Sequence, residues 1–188
     1  ENVGIKNLQV MVIPKSEETS SINAYMTGMG KSRRIVFWDT TLKQLNEQEI
    51  ISVAAHEMGH YKLKHIQKSM VLSILTSLMA LILLNAIMEK HKGKNYRNID
   101  NLSKLIFIFN LITLFTTPIE QGYSRKIEIE ADKFAIEKTG DYYTNGALEI
   151  KFIKSNLSPV DVDKLYKYFA YSHPTTKERI EISNSYAN

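Results

Sequence analysis

The stretch His56-Glu57-Met58-Gly59-His60 places two imidazoles four residues apart with a carboxylate directly after the first. On a helix these histidines lie about 40° apart on one face, a turn above one another, so both can bind a single Zn²⁺ while Glu57 flanks it. Neutral imidazole is the commonest protein ligand for zinc, and a catalytic zinc site uses three protein ligands and keeps a fourth position for water. Zinc lowers the pKa of such a water towards neutrality, and an adjacent carboxylate takes its proton as it attacks an amide carbonyl. The pattern points to peptide-bond hydrolysis, with His56 and His60 as ligands of one zinc per chain and Glu57 as general base. The bland reading is a surface helix on which two histidines flank a glutamate by chance. A third ligand decides between them.

The helix that must carry this motif is legible in its own right. Asn46 followed by Glu47, Gln48 and Glu49 reads as an N-cap with acids in the first turn and a capping-box partner at the third position. Ile50, Ile51, Val53 and Ala54 then supply an apolar face. A second helix, over 124–139 with Gly140 at the left-handed C-cap position, contains Glu128-Ile129-Glu130-Ala131-Asp132. Glu128 and Asp132 share a face, whereas Glu130 points about 200° away from Glu128. Glu128 suits the third ligand, with Asp132 accepting the far N–H of a ligand histidine and fixing its tautomer. The alternative is a set of solvated or ion-paired acids.

With 188 residues, 44% hydrophobic and 23% charged, the chain can bury a full core, and one domain is expected. Residues 70–88 carry no charge and are just long enough to cross a bilayer. A second apolar run, 102–119, is weaker because it includes Lys104, Asn110 and Pro118, and a polar loop lies between the two. Together they read as a transmembrane hairpin; a buried helical hairpin in a soluble protein is the alternative. Two spans return the chain to the side it left, so the histidines and Glu128 can share one compartment.

Lys62, Lys64, Lys68, Arg125 and Lys126 flank the hairpin's base while Lys90, Lys92, Lys94 and Arg97 sit in its loop, so the distribution of positive charge favours neither orientation. The net charge of +4 suits contact with anionic lipid head groups, and no basic, aromatic-interleaved patch argues for nucleic acid. The absence of cysteine excludes disulfides and thiolate ligands. A first residue of Glu1 rather than methionine reads as a piece of a longer chain.

Residues 8–13, 22–27 and 34–38 are short runs rich in β-branched and aromatic side chains, with Pro14 ending the first and Gly28-Met29-Gly30-Lys31-Ser32 separating the others like a hairpin turn. An edge strand of such a sheet either pairs with substrate backbone or serves packing alone. After the hairpin, 144–156 looks helical, Ser158-Pro159 reads as the opening of another helix, and a final segment starts at Pro174. The expected fold is α+β and mainly helical: a small antiparallel sheet packed on a zinc-binding HExxH helix, with an inserted transmembrane helical hairpin. A single domain over 1–188 would comprise the sheet in 1–45, the zinc helix in 46–68, the hairpin in 69–119 and a helical part in 120–188.

Four ordered motifs carry a resemblance to a known family. They are Asn23-Ala24-Tyr25 with the strand at 33–39, HEMGH continuing through His65, Ser124-Arg125 leading into Glu128 to Asp132, and Ser172-His173-Pro174 followed by Arg179. In these the chain resembles the integral-membrane zinc metalloproteases that include the CAAX prenyl endopeptidase and the HtpX-type proteases. The resemblance implies zinc on His56, His60 and Glu128, Glu57 as base, Asp132 behind a ligand histidine, and His173 near the metal, where it can stabilise the tetrahedral oxyanion or, in resting forms, approach the zinc itself. It further implies that Arg179 helps position His173 and that Asn23 and Ala24 line up substrate backbone. Without it, His173 before a proline reads as a cap of the last helix and Arg179 as a surface charge. His65 is left out as a ligand because, nine residues from His56, it points to the opposite face of a continuous helix; His91, in the loop, is left out as well.

The implied partners are a peptide or protein substrate, membrane proteins among them, and a lipid bilayer. The implied place is a bacterial plasma membrane with the active site on the cytoplasmic side, in membrane-protein quality control or prenyl-peptide processing. This chain departs from the family's full-length members in having one apparent hairpin, where they carry further spans and the prenyl endopeptidase encloses its site in an intramembrane chamber. A membrane protein that holds zinc without turnover, as a chaperone or scaffold, is the competing class, and Glu57 argues against it.

Overall fold

A computed structural model describes residues 8–28, 30–90 and 102–187. The capping box at Asn46 forms as expected: its side chain accepts from the Glu49 amide at 3.0 Å while the Glu49 carboxylate accepts from the Asn46 amide at 2.8 Å. From this cap helix α2 runs over Glu47–Lys62 and carries the whole HExxH motif. Before it come strands β1 (Gln9–Ile13), β2 (Ala24–Thr27) and β3 (Arg34–Trp38) and the short helix α1 (Asp39–Gln44).

The sheet is mixed, which corrects the expectation of a purely antiparallel one. Its order is β1-β3-β2, with β2 antiparallel and β1 parallel to β3. The cause is the segment 14–23, which crosses the end of β3 instead of turning back as a hairpin. Asp39 accepts hydrogen bonds from the amides of Lys15 and Ser16, Thr40 donates to the Ser21 carbonyl, and Thr41 bonds the Asn23 backbone. Sequential β1 and β2 are thereby held on opposite sides of β3. The β2–β3 turn needs Gly28, at φ +83°, where a Cβ would run into the Ser32 carbonyl. Ile22, Ala24, Met26, Ile35 and Phe37 then bury against Val53 of α2 and Leu148, leaving β2 as the edge beside the motif helix.

Helix α2 stops at Lys62, short of the 46–68 expected for the zinc helix. Lys64 adopts the left-handed conformation, φ 57°, and α3 restarts over His65–Lys90. Helix α4 spans Leu102–Thr139 without interruption, so the second apolar run and the acidic motif, read as separate helices, are one rod. Pro118 removes one hydrogen bond from the ladder, but the long helix on either side supports continuity. Gly140, at φ +69°, ends it as expected.

Helices α5 (Tyr142–Asn156), α6 (Lys164–Ala170) and α7 (Thr176–Asn184) complete the fold. The opening of α6 differs from the Ser158-Pro159 start: the Asp163 carboxylate caps the Leu165 and Tyr166 amides, whereas 157–163 stays irregular after the left-handed Leu157. Thr175, not His173, caps α7, in a capping box with Glu178.

Helices α3 and α4 each contain a window long and apolar enough to cross a membrane, with mean hydropathy 2.3 and 1.6, yet only 6% and 0% of those windows is buried. Thr76 links them by donating to Glu120 at 2.7 Å. The loop at 91–101, with His91 and three of the loop cations, lies outside the described residues.

Helices α2 and α4 meet where both are small. A Cβ on Gly59 would lie 3.3 Å from the Ala131 Cα and 3.1 Å from the Phe134 ring, and Ala131 and Ala135 are fully buried. Gly59→Leu is expected to wedge the helices apart, costing about 1–3 kcal/mol through overpacking and weakening metal binding, because His60 and Glu128 would move with their helices. Zinc titration alongside a denaturant melt checks this; unchanged metal affinity would break the link between this seam and the site.

Candidate metal centre

The ring nitrogens and carboxylate of three residues converge where α2 crosses α4. His56 Nε2 and His60 Nε2 are 3.1 Å apart, and Glu128 lies 3.4 Å from each through its two oxygens. All three ligand atoms fall within 4.8 Å of one another. Tetrahedral zinc with bonds of about 2.0–2.1 Å holds neighbouring donors about 3.3 Å apart, so this N,N,O triangle has the right size as well as the right chemistry.

The site is also built to hold positive charge. Burial works against a charge on His56, but hydrogen bonds with Asp132 and Glu128 overcome it and raise its pKa to about 10. Burial likewise opposes ionisation of Glu128, yet hydrogen bonding with His56 and the nearby histidines bring it down to about 2. For His60, burial and then the neighbouring His56 lower the pKa to about 4, which leaves a neutral imidazole suited to ligation.

Asp132 packs against His56. Its carboxylate is 1% exposed, meets His56 Nδ1 at 2.8 Å, and so fixes that ring with Nε2 facing Glu128 and His60. Burial opposes its charge, but Arg179 and then His56 hold its pKa well below the usual carboxylate range. Arg179 has partners other than His173: its Nε and Nη2 donate to the two Asp132 oxygens, and its Nη1 sits 3.0 Å from Glu149. Glu149 carried no sequence signal, yet it is 3% exposed, and burial pushes its carboxyl up to about 7 against the pull of Arg179.

Glu57 lies beside the triangle, where burial raises its pKa and the Met26 backbone amide of β2 donates to it. A carboxyl raised in this way is closer to the working range of proton transfer near neutrality. His173 comes within 3.9 Å of Glu128 through Nε2 while its Nδ1 meets Ser172, and its side chain remains 61% exposed. Asn23 and Ala24 stand at the start of the β2 edge. A single cleft of about 890 Å³ joins Asn23, Ala24, His56, Glu57, His60, Glu128, His173 and Arg179. Glu130 faces away from the triangle and meets His65, which the break at Lys64 folds back against His60.

A helix-borne HExxH pair with a glutamate facing it from a second helix, beside a sheet edge, is the arrangement that marks the metalloprotease class. The chain belongs to peptidase family M48, with the match running over residues 1–185. It is 32% identical to the uncharacterized metalloprotease YhfN of Bacillus subtilis over 182 residues, covering 92% of this chain and 42% of that protein. It is also 32% identical to CAAX prenyl protease 1 of Saccharomyces cerevisiae, over 96% of this chain and 44% of the relative. Among solved structures, S. mikatae Ste24p superimposes with a TM-score of 0.76 at 28% identity, covering 93% of this chain and 46% of that one. The chain thus spans less than half the length of these relatives.

Proposed function

We propose that this chain is the metallopeptidase unit of a membrane-embedded zinc endopeptidase. The observation that carries the reading is the His56, His60 and Glu128 triangle with Glu57 beside it. His56, His60 and Glu128 would hold the zinc, which supplies Lewis-acid polarisation of water and of the scissile carbonyl when bound. Glu57 accepts the proton of the attacking water and passes it to the departing amine. The β2 edge, held to Glu57 through the Met26 amide, aligns substrate backbone from Asn23 and Ala24 onwards. His173, exposed at the cleft and close to Glu128, donates to the carbonyl oxygen as it gains negative charge. Arg179 and Asp132 hold His56 in register.

The nearly unburied apolar windows of α3 and α4 support insertion in a bilayer, since a soluble core hairpin would bury them. Residues Lys62, Lys64, Lys68, Arg125 and Lys126 then sit at the base of the hairpin, on the side of the site. We propose that this side faces the cytoplasm at a bacterial plasma membrane; the organism of the Bacillus relative supports the bacterial setting. Substrates are peptides or proteins of the membrane, in quality control or, as the CAAX-named relatives suggest, prenyl-peptide processing.

The test uses the full-length protein containing this chain. It should hold about one zinc per chain, cleave unstructured or prenylated peptides, lose cleavage when a chelator removes the metal, and regain it on zinc addition. Zinc-replete protein inert towards both substrate kinds would overturn the reading and favour a non-proteolytic zinc protein.

A further inference from the structure

The two ligand histidines are backed differently. His56 Nδ1 meets the Asp132 carboxylate directly, at 2.8 Å. His60 Nδ1 meets no carboxylate; it lies 3.1 Å from His65 Nδ1, and His65 Nε2 in turn lies 3.2 Å from Glu130 Oε2. Because His60 faces the metal triangle with Nε2, a neutral His60 carries its proton on Nδ1 and must donate it. Its partner nitrogen on His65 must therefore be the acceptor, which leaves the His65 proton on Nε2, where the Glu130 carboxylate receives it. One tautomer set satisfies both contacts of His65, and it is the set in which His60 Nε2 presents a lone pair to a metal.

We infer that His65 and Glu130 are positioning residues: a Glu130–His65–His60 hydrogen-bonded relay that fixes the ring and tautomer of His60, as Asp132 does for His56. The inference rests on the zinc reading above. The fold supplies the relay through the left-handed turn at Lys64, which brings a 1% exposed His65 back across the end of α2. It also accounts for Glu130, which faces away from the triangle, with its side chain 36% exposed and Lys126 at 3.9 Å. Outer partners of ligand histidines tune metal affinity because they fix orientation and raise basicity.

The test measures zinc affinity by chelator competition on the full-length protein, with thermal melts of the metal-free forms as a check on folding. His65→Phe keeps a ring but removes both hydrogen bonds, and is expected to weaken zinc binding about 10–100-fold. His65→Gln, whose amide can accept from His60 and donate to Glu130, should recover most of that loss. Glu130→Leu, at a half-exposed position, should weaken binding in the same direction and decides the matter if His65→Phe does not fold. Equal affinity of His65→Phe or Glu130→Leu and wild type, or His65→Gln binding no better than His65→Phe, overturns the relay. Wild-type protein without zinc affinity overturns the metalloprotease reading itself, and the relay with it.

Discussion

Glu57→Gln is expected to retain about one zinc per chain and to lower kcat for peptide hydrolysis by about 10³-fold or more, within the range that general acid–base catalysis supplies. Glutamine has nearly the same shape, and its carbonyl oxygen can still accept the Met26 amide that Glu57 accepts. What it cannot do is take a proton. The residues proposed to hold the metal are His56, His60 and Glu128, so they are untouched by the change. Metal content by elemental analysis and single-turnover cleavage provide the two readouts. Hydrolysis at the wild-type rate in a zinc-loaded Glu57→Gln protein would remove Glu57 from the mechanism; loss of zinc together with activity would make its role structural.

The second large effect is on stability. Arg179→Leu should destabilise the metal-free fold by about 3–5 kcal/mol, the usual cost of leaving buried charge without its partner. Two carboxylates depend on this guanidinium. Asp132 receives both Nε and Nη2, and Glu149 lies 3.0 Å from Nη1, each almost fully buried. The sign with pH follows. In wild type the lowered pKa of Asp132 contributes stability above its unfolded value of 3.8, lost as pH falls through the folded value. Glu149 acts oppositely: its pKa of about 7 exceeds the unfolded 4.5, so its contribution is present below 4.5 and is lost as pH rises through 7. Without Arg179 both carboxyls would resist ionisation, and the deficit should grow between pH 4 and pH 8. Denaturant melts at three pH values check this; a deficit that is constant or shrinks with pH would mean that Arg179 stabilises by packing alone.

The same network separates what could be read along the chain from what could not. HEMGH, the Asn46 capping box and the Glu128–Asp132 pair each lie within a turn or two of one helix, where 3.6-residue periodicity sets geometry directly. Along the chain Arg179 goes with His173, since both stand in one C-terminal motif, but its partners come from α4 and α5. Glu149 looks like any helical surface acid until α7 covers it. On one continuous helix His65 would point away from His56. The break at Lys64 has neither glycine nor asparagine to announce a left-handed residue.

By itself, then, the sequence determined which residues are candidate ligands and base, the helix that carries the HExxH motif and the two apolar runs, since each depends on local spacing, capping or hydropathy. Tertiary structure alone decided that β1 runs parallel to β3, that Arg179 bridges Asp132 and Glu149, and that Glu130 faces His65. Those outcomes turn on how the connection at 14–23, the turn at Lys64 and the close approach at Gly59 bring distant segments together. Periodicity along one element carries no information about which face another element will meet.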